Sequence, residues 1–239
     1  MKNNISTVAF VTGGSGGIGS SICKELAKKN IKVCFTYFKN KKKAQKIVNE
    51  IKKNGGKAEI KKMDISNINS SKRTLDYFIK KNGKISILIN NSGISQIKQF
   101  NKISPKDWDK IINVNLKGPF FLTKYFLEKI NKNNWCRIVN ISSLSGIYGG
   151  KVQIHYAITK AGLISLTKSL NNIYGKQNFT INAIAPGLIN TPMIKKEIIL
   201  KKKYKLKIGR IKESKEISKI VLKIISEKYK NKSGLVFKI

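Results

Sequence analysis

Short β-branched runs alternate with longer stretches of helical periodicity along almost the whole chain of 239 residues. Strands are read at Ile5–Val11, Lys32–Thr36, Lys57–Met63, Ile85–Asn90, Arg137–Ile141, Thr180–Ala185 and 234–238. Helices are read near 18–29, 41–54, 67–82, 104–130, 153–175 and 214–228. Ser104 with Asp107 three residues on, and Pro105 between them, marks the start of the fourth helix. Strands separated by helices form βαβ units, so the expected fold is α/β, a doubly wound parallel sheet of about seven strands covered by helices on both faces. The stretch 190–208 is basic and irregular. With no linker or internal repeat, residues 1–239 are expected to form one domain.

The formal charge of +37 raises the question of nucleic acid. Only Arg73, Arg137 and Arg210 are arginines, against 46 lysines, and phosphate or base recognition favours the planar guanidinium. Ile, Lys and Asn supply 109 residues, all with AT-rich codons, and the lysines run along the whole chain instead of forming one block. A drift in genome composition with lysines solvated on outer helix faces is therefore expected, not a nucleic-acid partner. A basic nucleic-acid binder on a vestigial enzyme fold is the reading from another class. No apolar run approaches the roughly 20 residues of a membrane span. The stretch after Lys2 ends in glycines, so it reads as a strand and not as a signal peptide. Cys23, Cys34 and Cys136 have neither disulfide-scaffold nor metal spacing and suit a reducing cytoplasm, and no metal site is expected.

Val11-Thr12-Gly13-Gly14-Ser15-Gly16-Gly17-Ile18-Gly19 lies between the first strand and the first helix. Glycines there let backbone N–H groups approach a pyrophosphate at a helix N-terminus, where the dipole favours anions. At the end of the second strand stand Tyr37, Phe38 and Lys39, with Lys41, Lys42 and Lys43 close by. No carboxylate is present there to repel a 2′-phosphate, so NADPH is expected over NADH.

Tyr156 and Lys160 occupy positions i and i+4 of one helix face. A nearby ammonium stabilises a phenolate and turns the phenol into a usable acid near neutrality. In so lysine-rich a chain the spacing gains meaning only from its company. Ser143 ends the fifth strand, Asn90-Asn91-Ser92-Gly93 ends the fourth, Asn113-Val114-Asn115 lies in the following long helix, and Pro186-Gly187-Leu188-Ile189-Asn190-Thr191 follows the sixth. In open α/β sheets ligands bind outside these strand ends.

In order and spacing, this set resembles the short-chain dehydrogenase/reductase family from about Val8 to Phe237. Within it, Asn115-Leu116-Lys117-Gly118, Thr180–Gly187 and Ile208-Gly209-Arg210 are most similar to 3-oxoacyl-[acyl-carrier-protein] reductases of fatty acid synthesis. The resemblance implies a Rossmann-type fold and an NADP(H)-dependent oxidoreductase. An acetoacetyl-CoA or other small-carbonyl reductase is the alternative within the family. It further implies that Tyr156 donates the proton, Lys160 lowers the phenol pKa and holds the nicotinamide ribose, Ser143 binds the substrate carbonyl, and Asn115 holds a relay water. Gly13, Ser15, Gly16, Gly17, Ile18 and Gly19 with Tyr37 would hold the cofactor phosphates and ribose. Asn91, Ser92 and Gly93 would line the ribose side, Asp64 and Ile65 would meet the adenine, and Ile189 and Thr191 the carboxamide. An acidic acyl carrier protein is the implied partner, with Arg137 and Lys176 as candidate rim contacts, and the implied assembly is a homotetramer built through the long helices.

The sequence departs from the family in three places. Gly16 stands where many NADPH-using members carry a basic side chain. Ser92 replaces an alanine, and Lys238-Ile239 ends the chain short of the usual paired glycines, which bears on a C-terminal subunit contact. His155 points about 100° from the phenol and is expected at the surface or an interface. Trp108, Phe120, Phe121 and Phe126 are read as packing against the sheet or a neighbouring subunit. Lys195, Lys196 and Lys201–Lys203 mark either a substrate lid or a solvated loop.

Overall fold

Along the first strand, β1 (Val8–Val11), Val8 and Phe10 enter one apolar cluster while Ala9 and Val11 enter another. This is the period-two alternation of a strand buried on both sides. The computed structural model describes residues 7–130, 135–175, 178–192, 194, 198–199 and 209–239. The other strands are β2 (Lys32–Tyr37), β3 (Ala58–Lys62), β4 (Ile87–Asn90), β5 (Cys136–Ile141), β6 (Phe179–Ala185), β7 (Leu188–Ile189), β8 (Ile211–Lys212) and β9 (Val236–Lys238). Seven of them form one parallel sheet in the order β3-β2-β1-β4-β5-β6-β9, the Rossmann arrangement. The order reverses between β1 and β4, and this places the binding crevice there.

One face of the sheet is covered by α1 (Gly17–Ala27), α2 (Lys41–Lys53) and α8 (Ser214–Ile225), through residues such as Ile22, Val48 and Val221. The other carries α3 (Ile68–Asn82), α5 (Gly118–Lys129) and α7 (Ile154–Tyr174), with Phe78, Phe126 and Leu170 turned inward. Helix starts follow local chemistry. Asn40 and Asn67 accept from the N–H groups of Lys43 and Ser70, and Ser104 with Asp107 closes a capping box on α4 (Pro105–Ile112).

The expected single helix over 104–130 is interrupted. Residues Asn113–Lys117 form a π turn in which Gly118 N–H bonds to Asn113 O. Gly118 is forced by its neighbour, since a Cβ there would fall 2.3 Å from Ile65 O. The short helix α6 (Ser145–Tyr148) and the β7–β8 pair were not legible in the sequence. The lysines of the candidate lid, Lys195, Lys196 and Lys201–Lys203, lie outside the described residues, as does Lys176.

Two expectations are corrected. Arg137 is fully buried at the second position of β5, where it donates to Ile225 O (3.2 Å), Cys136 O (2.9 Å) and Asn178 O (2.6 Å). It sits six residues, roughly 20 Å, before Ser143, so it cannot line the rim. His155 is also fully buried, with Nε2 3.0 Å from Gln96 Oε1, because the chain after β4 packs over this side of α7. Phe126 is in the core, whereas Trp108 and Phe120 face outward. All three cysteines are buried, and burial pushes the thiols of Cys34 and Cys136 up to about 12. Among the described residues no helix is long and apolar enough to cross a membrane, and no group of His, Cys, Asp and Glu is placed to hold a metal.

Candidate active site

At the switch point Thr12 ties the two central strands together. Its hydroxyl oxygen accepts from the N–H groups of Asn91 and Ser92, both at 2.9 Å, while Asn91 Nδ2 donates to Thr12 O and Gly13 O. Gly13 N–H in turn bonds to Thr36 Oγ1. The glycine loop is thereby stitched to the ends of β2 and β4. Two of its glycines leave no room for a side chain: a Cβ on Gly19 would lie 2.4 Å from Gly13 O, and one on Gly17 would lie 2.5 Å from Thr191. Gly16 has no side chain to cap α1, so among the described residues no N-cap side chain accepts from its first turn. An uncapped helix start in a groove that cannot admit a Cβ fits a dinucleotide pyrophosphate.

The adenosine end is less polar than expected. Tyr37 packs into the core beside α1 and α2, leaving Phe38, Lys39 and Lys41–Lys43 exposed. Asp64 Oδ1 is engaged by Ser66 N–H (2.9 Å) and Ser66 Oγ (2.6 Å), and Ile65 is buried against Gly118.

A cleft of about 470 Å³ opens at the other end. It brings together Ile18, Asn91, Gly93, Ser143, Tyr156, Lys160, Ile189 and Thr191 from the sequence-derived set. The remaining members lie along the glycine loop, at the adenosine end or behind the cleft wall. Lys160 is only 4% exposed, donates to Ile141 O at 2.8 Å, and has its Nζ 5.6 Å from the centroid of the Tyr156 ring. Burial alone pulls this lysine from 10.5 down to about 8. Ser142 fastens the same residue from its backbone side by donating to Lys160 O at 2.7 Å. Ser143 Oγ accepts from Ser145 N–H at 3.1 Å, so the hydroxyl proton is directed elsewhere.

Asn115 is fully buried behind Gly93 in the π turn. Its Oδ1 accepts from Ile94 N–H and its Nδ2 donates to Ile94 O, both at 2.8 Å, with Thr159 Oγ1 at 3.4 Å. The cleft is also lined by residues that the sequence did not single out, among them Ile94, Ser145, Gln153, Ile194 and Lys212. Gln153 had one available signal, its position three residues before Tyr156, at the N-cap of that helix.

The comparisons agree with this geometry. Residues 7–199 match the short chain dehydrogenase family. The 3-oxoacyl-[acyl-carrier-protein] reductase FabG of Aquifex aeolicus is 38% identical over 92% of this chain and 90% of its own length. The acetoacetyl-CoA reductase of Cupriavidus necator is 32% identical over 97% and 96%. A short chain dehydrogenase from Burkholderia cenocepacia, solved in complex with NADP, superposes with a TM-score of 0.89 at 25% identity and covers 99% of this chain and 98% of its own. The chain belongs to the short-chain dehydrogenase/reductase family, as an NADP(H)-dependent oxidoreductase of small carbonyl and alcohol substrates.

Proposed function

We propose that this chain reduces 3-oxoacyl thioesters to 3-hydroxyacyl thioesters with NADPH, on acyl carrier protein and in fatty acid synthesis. The observation that carries the reading is the buried Lys160 ammonium beside the Tyr156 phenol, in one cleft with Ser143. When bound, NADPH supplies the hydride, and the protein supplies orientation and charge. Ser143 donates its hydroxyl proton toward the substrate carbonyl. Tyr156 transfers its proton to that oxygen as charge develops on it, and the Lys160 ammonium stabilises the phenolate left behind. The Asn115 side chain is committed to Ile94, so a relay water toward Lys160 would rest on the backbone carbonyls loosened by the π turn.

The cofactor would lie across the switch point. Gly13, Ser15, Gly16, Gly17, Ile18 and Gly19 would meet the phosphates, and Asn91, Ser92 and Gly93 the riboses. Asp64 and Ile65 would meet the adenine, Ile189 and Thr191 the carboxamide. With the Tyr37 ring in the core, its backbone and the exposed Lys39 and Lys41–Lys43 are left to receive the 2′-phosphate. Arg210 and Lys212 on the cleft wall replace Arg137 as contacts for an acidic carrier. The proposal includes a single domain, a cytoplasmic location and a homotetramer. The exposed Phe100, Trp108, Phe120 and Ile158 near α4, α5 and α7 support the assembly.

Reduction of an acetoacetyl-CoA substrate is the second reading, supported by the near full-length similarity to acetoacetyl-CoA reductases. NADPH oxidation by one preparation, with acetoacetyl carrier protein and acetoacetyl-CoA in parallel, tests both. A higher kcat/KM on the carrier thioester is expected. Turnover of neither thioester overturns the substrate class.

A further inference from the structure

The cleft that holds Tyr156 and Lys160 is lined by two further cations, Arg210 and Lys212, and, among the described residues, by no acidic side chain. Among those residues Lys212 also makes no ion pair. The nearest carboxylate in sequence, Glu213, accepts from Asn190 Nδ2 at 2.9 Å and closes the capping box of α8 with Glu216. Strand alternation separates Lys212 from its neighbours. Ile211 and Glu213 are exposed, while Lys212 between them is half-buried and lines the cleft.

Two features of the fold fix where along the cleft Lys212 stands. β7 and β8 run parallel, with Leu188 opposite Ile211 and Ile189 opposite Lys212. This ribbon starts beside Leu144, which donates its N–H to Pro186 O, and reaches Thr191, whose methyl group leaves no room for a Cβ on Gly17. Arg210 therefore stands toward the substrate end, and Lys212, roughly 7 Å further on, toward the glycine loop. The helices place it in the same way. α1 leads from β1 to β2 and α8 leads into β9 of one parallel sheet, so both run against the strands and with each other. Ser21 and Ser218, each the fifth residue of its helix, have hydroxyl oxygens 3.0 Å apart. The two helix starts thus lie side by side, and Lys212, two residues before α8, stands beside the first turn of α1.

The run from Val11 to Gly19 contains no lysine or arginine, so a pyrophosphate there meets only neutral N–H donors and a helix dipole. We infer that the Lys212 ammonium binds the pyrophosphate of NADP(H), as the charged counterpart of the glycine-loop N–H groups. The β7–β8 ribbon then sorts its two cations, Lys212 to the cofactor and Arg210 to the substrate. The inference rests on the cofactor placement proposed above and narrows the carrier contact on this wall to Arg210. The pyrophosphate is common to both nucleotides, so Lys212 adds affinity for NADPH and NADH alike. The choice between them stays with the lysines after β2.

Fluorescence titration of the substrate-free protein with NADPH and, separately, with NADH tests this. Lys212→Met should raise the Kd of both about 10-fold. Lys212→Arg should hold both within about three-fold of wild type, and Arg210→Met within about two-fold. The Lys212→Met deficit should shrink with added NaCl, because a charge contact open to solvent is screened. If Lys212→Met does not fold, Lys212→Gln takes its place with the same expectation. A deficit that salt leaves unchanged would show a structural role of the ribbon and overturn the inference. A loss confined to NADPH would move Lys212 to the 2′-phosphate, and unchanged Kd values with a raised KM for acyl carrier protein would return it to the carrier; either result overturns the assignment. If wild type binds neither nucleotide, the cofactor placement itself fails. If wild type binds NADPH and Lys212→Met matches it, only the role of Lys212 fails.

Discussion

The two ends of the crevice are built from different material. At the glycine loop the protein offers backbone: uncapped N–H groups, glycines pressed against Gly13 O and Thr191, and Thr12 holding the strand ends together. At the other end it offers side chains, and these are held by burial. Lys160, Asn115 and Gln153 are each enclosed, Lys160 hydrogen-bonded to the end of β5 and the other two to the loop after β4. The first end is therefore expected to tolerate changes in side chains but not added atoms. The second is expected to tolerate little change in functional groups.

The largest effect that sharpens this contrast is expected from Tyr156→Phe. Loss of one hydroxyl should cut turnover about 10³-fold, while NADPH affinity by fluorescence titration stays within about two-fold. Retained turnover would remove Tyr156 from its role.

Lys160→Met should lower kcat about 10²-fold and yet stabilise the cofactor-free protein. The lysine is depressed from 10.5 to about 8 by burial, so between those values the unfolded chain binds more protons than the native one. Its contribution to stability is present above 10.5 and is lost as pH falls toward 8. Below that, keeping the charge buried costs about 3 kcal/mol. Denaturant melts should show wild type gaining stability from pH 8 to 10.5 by a step that the variant lacks. A parallel pH dependence in the two proteins would contradict the burial argument.

At the backbone end, Gly19→Ala should weaken NADPH binding about 10-fold, since the added carbon meets Gly13 O and Asn91 Nδ2. The smallest change is expected from Ser15→Ala, below about 3-fold in NADPH affinity, because the loop binds through its main chain. A larger loss for Ser15→Ala than for Gly19→Ala would break the comparison.

The same division governs what the sequence discloses. Strand β1 is a continuous apolar run and β4 is one up to its last residue, and the glycine loop is local, so the fold and the NADP(H)-binding loop could be read directly. Tyr156, Lys160 and Ser143 were legible as candidates from the order of the whole motif set, and the cleft brings the three together. Features set by distant partners were not. The helix break at Asn113–Lys117 depends on Asn115 bonding Ile94, and the burial of His155 depends on Gln96, 59 positions away. Arg137 illustrates a different difficulty. Its charge invited a surface role, whereas its guanidinium satisfies three carbonyls at the closed end of the sheet.

The wide turn before α5 acts as a phase shifter. It inserts one residue beyond the regular repeat, and one residue corresponds to about 100° of rotation. Excising a single position from 113–117 would let the two helices run on as one straight rod. That would swing Trp108 and Phe120 out of their present angular offset, so the outer contour of the molecule and the innermost asparagine are set by the same extra peptide unit.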